Sequence, residues 1–315
     1  MPTGLVYDER FLLHDTGPGH PERPDRLRAV VKRLRDEGVW EGLVHLSFAP
    51  AETSQMLRVH GAAYVDRLRA ACMQGLPFID ESDSAICAES FDIACLAVGG
   101  ALAAVDAVWE GRVDNAFCAL RPPGHHAEAD RSMGFCLFNN VAIAARYLME
   151  HHGVARVAIV DFDVHHGNGT QHLFEDCGDV LFVSLHEDPT LLYPGTGHAS
   201  ETGRGPGQGA TINLPMRPRS TDDDYLEAFA STVVPALERF GPQVLLVSAG
   251  FDASVHDPLA HICVTRSGFR WMAAQLKEAA GRLCQGRLIS LLEGGYDLGA
   301  LAEAVCDHVS VLKDS

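Results

Sequence analysis

Two carboxylates and two imidazoles fall within six residues, Asp161-Phe162-Asp163-Val164-His165-His166, directly after the apolar run Val157-Ala158-Ile159-Val160. The run is short and β-branched and reads as a buried strand. Along a strand, residues i, i+2 and i+4 share a face. Asp161, Asp163 and His165 therefore point the same way for as long as the extended geometry lasts. Charges packed this closely at a strand end are costly to bury unless a cation or hydrogen bonds compensate them. A metal ion would do so.

Other apolar runs end in the same manner. Ala116–Leu120 leads into Arg121-Pro122-Pro123-Gly124-His125-His126, and Val244–Ser248 into Ala249-Gly250-Phe251-Asp252. Leu288–Leu292 leads into Glu293-Gly294-Gly295-Tyr296, and Val180–Leu185 closes on Ser184-Leu185-His186. A lone aspartate at a strand end is ordinarily a turn or a helix cap. Five such ends are harder to attribute to turns, and open parallel sheets bind ligands at the carboxyl ends of their strands. A catalytic zinc takes three protein ligands and keeps one position open. Asp163, His165 and Asp252 supply O, N and O. His125 and His126 are candidates to move a proton, with Asp161 to orient one ring. Tyr296 has a phenol to donate to a tetrahedral oxyanion. The sum is metal-assisted amide hydrolysis.

The elements that must position these groups alternate in type. Strand-like runs at 5–7, 116–120, 157–160, 180–185, 210–214, 244–248 and 288–292 are separated by helical patterns. Helices are predicted from residue 25 and over 89–110, 137–152, 222–240, 266–281 and 298–312. Leu27, Val30, Val31 and Leu34 set the apolar face of the first, and Asp222-Asp223-Asp224 opens the helix over 222–240. Several strands are continuously apolar, which means both faces are covered. The expected fold is α/β, one domain over residues 1–315 with a mainly parallel sheet flanked by helices. The Gly-rich stretch 203–209 precedes a strand, not a helix, and so reads as a tight loop and not a dinucleotide site.

The 315 residues carry a formal charge of −17. That leaves too few cations for nucleic acid to be a direct partner. The field favours cationic substrates, and it equally keeps a protein soluble. Nine cysteines are scattered without a C-x-x-C pair, which excludes a disulfide framework and suits a reducing compartment. The first residues show no basic-then-apolar leader, and the apolar stretch from Cys95 to Trp109 is taken as too short to span a bilayer. The chain is expected to be soluble and cytoplasmic, with no membrane partner.

Across nearly its whole length the chain resembles the zinc-dependent histone deacetylases of the class II-like branch, which includes bacterial deacetylase-like amidohydrolases and acetylpolyamine amidohydrolases. The matching segments are His20-Pro-Glu-Arg-Pro24 with Arg26-Leu27, Arg121–Ala127, Gly134–Asn140, Asp161–Gln171, Pro194–Gly197, Ser248–Ala253 and Glu293–Tyr296. The resemblance implies an arginase-like fold and one zinc on Asp163, His165 and Asp252. It makes His126 the general base and acid, His125 its electrostatic partner paired with Asp161, and Tyr296 the oxyanion donor. Asn168 stands where class I members carry an acid behind the second histidine. Gly134, Phe135, Tyr193 and Leu259 would line a tunnel for an acyl-lysine stem.

The resemblance also implies structural potassium. One site would use Asp161, Ser184 and carbonyls of Asp163, His165 and Leu185, and a second would use carbonyls near Phe174, Cys177 and Val180. Two-metal arginase-type relatives need carboxylates where this chain has Gly167 and Ser254, which argues for one catalytic ion. The substrate is an acyl-lysine peptide or protein, an acetylated polyamine or another N-acyl amine. Leu259 occupies the place of a gatekeeper acid found in one polyamine-selective branch. Asp83 or Ser84, in the acidic segment with Asp80 and Glu81, would meet the substrate backbone at the tunnel mouth; the same acids also suit the start of the helix near 89. A non-catalytic acyl-lysine binding module is the competing class, but it would be expected to have lost a ligand or the phenol.

Overall fold

All seven apolar runs form strands in the computed structural model, which describes residues 2–314. They are β1 (Thr3–Val6), β3 (Asn115–Cys118), β4 (Val157–Asp161), β5 (Val180–Glu187), β6 (Thr211–Met216), β7 (Val244–Ala249) and β8 (Leu288–Leu292), with a two-residue edge strand β2 (Val44–His45) that no run announced. They form one sheet in the order β2-β1-β3-β8-β7-β4-β5-β6. Every pairing is parallel. The inner strands β3, β8, β7, β4 and β5 are buried along their whole length, as expected when helices cover both faces.

The helices are α1 (Asp25–Asp36), α2 (Thr53–Met56), α3 (Ala62–Met73), α4 (Ser90–Trp109), α5 (Asn140–His151), α6 (Asn168–Phe174), α7 (Asp222–Ala228), α8 (Val234–Phe240), α9 (Arg266–Leu283) and α10 (Leu298–Lys313). The predicted helix over 222–240 is two helices joined by a π-turn at Phe229–Val233. Pro235, without an N–H, interrupts the ladder there. Thr221 and Asp224 close a capping box at its start. α4 is, by length and composition, long and apolar enough to cross a membrane, so the apolar stretch is longer than the sequence reading took it to be. Yet 83% of its apolar window is buried inside the fold. It is a core helix packed on β1, β3 and α5.

This topology places the chemistry. β3, β8, β7 and β4 are consecutive in space although their order in sequence is scattered. The segments that follow them carry His125 and His126, Tyr296, Asp252, and the Asp163–His165 pair. Four distant stretches of chain thus empty onto one patch at the carboxyl edge of the sheet.

Candidate active site

β4 ends at Asp161, so the extended geometry that would align the whole hexapeptide stops early. The backbone folds over its own carboxylates instead. Asp161 Oδ1 accepts from the Asp163 N–H at 3.1 Å, and Asp163 Oδ1 from the His165 N–H at 2.9 Å. The bend still brings Asp163 and His165 together with Asp252 from the end of β7: ligand atoms of all three lie within 4.8 Å of one another, and all three residues are buried. His165 Nδ1 is 3.1 Å from Asp163 Oδ1 and 3.2 Å from Asp252 Oδ2. The outer carboxylate oxygens are held in place, Asp163 Oδ2 by the Gly294 N–H at 2.8 Å and Asp252 Oδ1 by the Val164 N–H at 2.9 Å. Such separations suit one tetrahedral ion with O and N ligands at ~2.0–2.2 Å. The residues therefore fit a zinc ion. Burial first, and then the neighbouring Asp163, push the Asp252 carboxyl upward, so the pair of carboxylates calls for a cation.

The sixth residue of the hexapeptide does not join them. His166 is hydrogen-bonded to Thr196 Oγ1 at 2.8 Å and to Gln171 Oε1 at 2.9 Å. His186, at the fifth strand end, donates Nε2–H to the Gly197 carbonyl at 2.8 Å and bonds Ser184 Oγ through Nδ1, also at 2.8 Å. Both imidazoles support the 194–197 segment beside Tyr193 rather than lining the pocket. Gly167 leaves no space for the second-metal carboxylate, since even a Cβ there would stand 2.3 Å from Asp161 Oδ2.

His125 and His126 are buried neighbours, their ring centroids 4.0 Å apart, with opposite surroundings. His125 Nδ1 donates to Asp161 Oδ2 at 3.0 Å, and its Nε2 is 3.8 Å from Asp163 Oδ1. Burial would lower this imidazole, but Asp163 and Asp161 outweigh it and raise it to about 10. His126 faces Asn168 Oδ1 through Nδ1 at 2.7 Å. Burial, then the charge on His125 and on His165, holds it well below its ordinary value. The two rings are thus pushed in opposite directions, His125 toward the charged form and His126 toward the neutral one.

Above them is a pocket of about 270 Å³ lined by Asp83, His126, Gly134, Phe135, His165, Leu192, Tyr193, Leu259 and Tyr296. All five residues expected to meet substrate are among these. Gly134 is indispensable: a Cβ there would sit 2.2 Å from the His126 ring. Phe135 follows at φ 67°, a costly conformation for a bulky residue and one that sites of function retain. Its ring meets Tyr296 edge-on at 5.8 Å. Tyr193 stands edge-on to His126 at 5.2 Å. Burial keeps the Tyr296 phenol far above its ordinary pKa even though Arg26 opposes the shift, so it remains a donor. A larger cleft of about 780 Å³ between α9 and α10 contains Trp271 and long charged side chains, but no converging ligand set among the described residues.

The comparisons agree with this geometry. The histone deacetylase domain model matches residues 20–312. The chain belongs to the histone deacetylase family. A probable deacetylase of Archaeoglobus fulgidus is 40% identical over 96% of this chain and 83% of its own length. A histone deacetylase-like amidohydrolase of Pseudomonas aeruginosa is 40% identical over 93% and 81%. The crystal structure of the HDA15 HD domain superposes with a TM-score of 0.94 at 39% identity, covering 99% of this chain and 88% of that one. The protein is thus a deacetylase of the amide-hydrolysing class, on the family's arginase-like fold, and the family implies zinc.

Several residues of the matching segments had been given no role, and in the deacetylase they act as scaffolding. Glu293 Oε2 accepts the N–H groups of Gly124 at 2.7 Å and His125 at 3.1 Å, locking the histidine turn to β8. Arg26 donates to the carbonyls of Gly295, at 2.7 Å, and Glu293, and its guanidinium lies 5.1 Å from the Tyr296 ring centre. Glu22 ties Arg26 to Arg121. Asp257 accepts from the Leu259 and Tyr296 N–H groups at 3.0 and 2.7 Å, joining a tunnel wall to the phenol. Leu192 was also unforeseen as a lining residue. Their place in the matching segments marked Glu22, Arg26, Arg121 and Glu293 in advance, and opposite charge at i,i+4 paired Glu22 with Arg26. The acids near residue 80 do not cap α4: Asp80 pairs with Arg67 and accepts from the Ser132 N–H at 2.9 Å, Asp83 reaches the pocket, and Ser84 is buried.

Proposed function

We propose that this deacetylase hydrolyses the amide of an acyl-lysine, or of a chemically similar N-acyl amine, whose alkyl stem lies between Phe135 and Tyr193. One observation carries the reading: the Asp163–His165–Asp252 ligand set lies at the foot of an apolar pocket that also exposes His126 and Tyr296. Asp163, His165 and Asp252 would hold the zinc. When bound, such an ion polarises an amide carbonyl and acidifies water. His126, neutral and with Nδ1 engaged by Asn168, takes the proton of the attacking water at Nε2 and returns it to the leaving amine. His125 keeps a positive charge beside it, anchored by Asp161. The Tyr296 phenol donates to the oxyanion.

Asp83 at the pocket mouth and the charge of −17 also support acetylated polyamines, cations on a thin stem. Purified protein offered acetyl-lysine peptides, longer acyl-lysines and acetylated polyamines in parallel, with zinc content measured, decides among them. Absence of turnover on all three by the zinc-loaded protein refutes the proposal.

Potassium is proposed at two places. Asp161 and Ser184 are register partners on β4 and β5, and the carbonyls of Asp163, His165 and Leu185 would complete the first site. Phe174, Cys177 and Val180 cluster on the turn from α6 into β5, where the Cys177 N–H already donates to the Phe174 carbonyl at 2.8 Å. A rise in melting temperature with potassium over a larger cation such as tetramethylammonium is the expected result. We place the protein in the cytosol, a reading supported by nine cysteines that are all free.

A further inference from the structure

The base His126 works only if its proton sits on Nδ1, so that Nε2 keeps a lone pair toward the pocket. Its partner Asn168 does not enforce this by itself. An amide has an acceptor end and a donor end, and a half-turn of the Asn168 side chain would place NH2 against His126 Nδ1. The proton would then move to Nε2 and the base would be lost.

The amide is fixed from behind. Glu128 Oε1 accepts from Asn168 Nδ2 at 2.5 Å and from His172 Nδ1 at 2.8 Å. The carboxylate is only 13% exposed, and His172 covers it at the surface. Glu128 is itself held at its backbone: its N–H donates to the Arg131 carbonyl at 2.9 Å, and its carbonyl accepts from His60 Nδ1 at 2.8 Å, while His60 Nε2 accepts from the Asn139 N–H at 3.0 Å. The His126 carbonyl, 3.3 Å from Asn168 Nδ2, is a weaker second acceptor on the same side.

We propose that Glu128 is a positioning residue that selects the tautomer of His126 through Asn168. A carboxylate only accepts, so NH2 must face Glu128, Oδ1 must face His126, and the imidazole proton must sit on Nδ1. Asn168 transmits this orientation without passing a proton, so no protons leave His126 by this route. His172 pins the carboxylate from the solvent side.

The inference rests on the deacetylase reading of the pocket, and its test is read partly without turnover. In ¹⁵N-histidine-labelled wild type, with and without zinc, long-range correlation spectra should show His126 as the Nδ1–H form, assigned by its loss in His126→Ala. Glu128→Gln, isosteric but able to donate, should mix in the Nε2–H form. In zinc-loaded enzyme it should lower kcat about tenfold with KM little changed, well short of the full cost of a wrong tautomer. In the Asn168→Asp background a carboxylate accepts from Nδ1–H directly, and the added cost of Glu128→Gln should shrink below about twofold. An Nε2–H wild type, or an equal cost in both backgrounds with no change of tautomer, overturns the proposal. A tautomer that follows Glu128 in a protein without deacetylase turnover supports this inference and sinks only the functional reading.

Discussion

Two buried charge clusters stand side by side under the Glu293–Tyr296 turn, and they solve the same problem in opposite ways. In the first, Glu22 bridges Arg121 and Arg26, and all three side chains are fully enclosed. The donors on both guanidinium groups find oxygen: Arg121 reaches both Glu22 oxygens and the carbonyls of Phe11 and His14, and Arg26 reaches Glu22 and two carbonyls of the turn. In the second, Asp163 and Asp252 are as deeply buried and His165 opens only onto the pocket, but the ligand set holds one imidazole for two carboxylates. The first cluster is complete within the chain and acts as a brace. The second is short of positive charge, and that shortfall is what makes it a metal site and not a brace. Burial of charge alone does not separate structure from function here; the balance of donors and acceptors does.

The comparison breaks most visibly at Asp252. Asp252→Asn should abolish turnover and leave the protein without stoichiometric zinc. The metal-free variant should nevertheless melt no lower than metal-free wild type, because burial and Asp163 already disfavour that charge. Metal analysis and calorimetry on the same samples check both halves. Stoichiometric zinc in the variant would show that the ligand set is wrong.

Tyr296 is where the clusters meet, between Arg26 and the ligand aspartates. Tyr296→Phe should keep zinc and fold while lowering kcat by roughly 10²–10³, the cost of one oxyanion donor. Unchanged turnover on an acetyl-lysine peptide would remove the phenol from the chemistry. Glu22→Gln should show the reverse pattern. It strands two buried guanidinium groups without a counter-charge and should cost about 3–5 kcal/mol in denaturant unfolding. Its residual folded fraction should still bind zinc, since no ligand is touched.

The role of the second cluster was legible in the sequence; Glu22, Arg26 and Arg121 of the first stand in the matching segments, but their pairing was not legible, for a physical reason. Ligands stand at the ends of apolar runs, so Asp163, His165, Asp252, His125, His126 and Tyr296 are marked by local context. The braces act across the fold: Glu22 and Arg121 are 99 residues apart, and Asn168 and Glu128 are 40 apart. No local pattern links them. The same contrast governs the elements. Continuous β-branched runs gave away the inner strands, whereas β2 has two exposed residues and no run. α6 begins inside the polar motif at Asn168, where helical periodicity is masked. For α3 the signal existed, with Tyr64, Val65, Leu68, Ala71 and Cys72 on one buried face, but it was not among the predicted helices.

The pH dependence of stability separates the Glu22 brace from three buried imidazoles, of which His14 adjoins it while His60 and His308 are bonded elsewhere. Burial would raise the Glu22 carboxyl, yet Arg121 and Arg26 pull it down to about 2 from 4.5. A depressed carboxyl stabilises the fold fully above its unfolded value and loses that contribution as pH falls from 4.5 toward 2. His14, His60 and His308 are lowered to about 4 from 6.5, in each case chiefly by burial. They are buried neutral, so unfolding takes up protons between pH 6.5 and 4, and stability falls across that earlier window. Metal-free wild type should therefore lose stability in two overlapping stages on acidification. Metal-free Glu22→Gln, weaker at neutral pH, should keep the upper stage and lose the lower one, so that the two unfolding free energies converge below pH 4.5. Curves that stay parallel down to pH 3 would show that Glu22 carries no displaced proton equilibrium, and that the two guanidinium groups are balanced by something other than its charge.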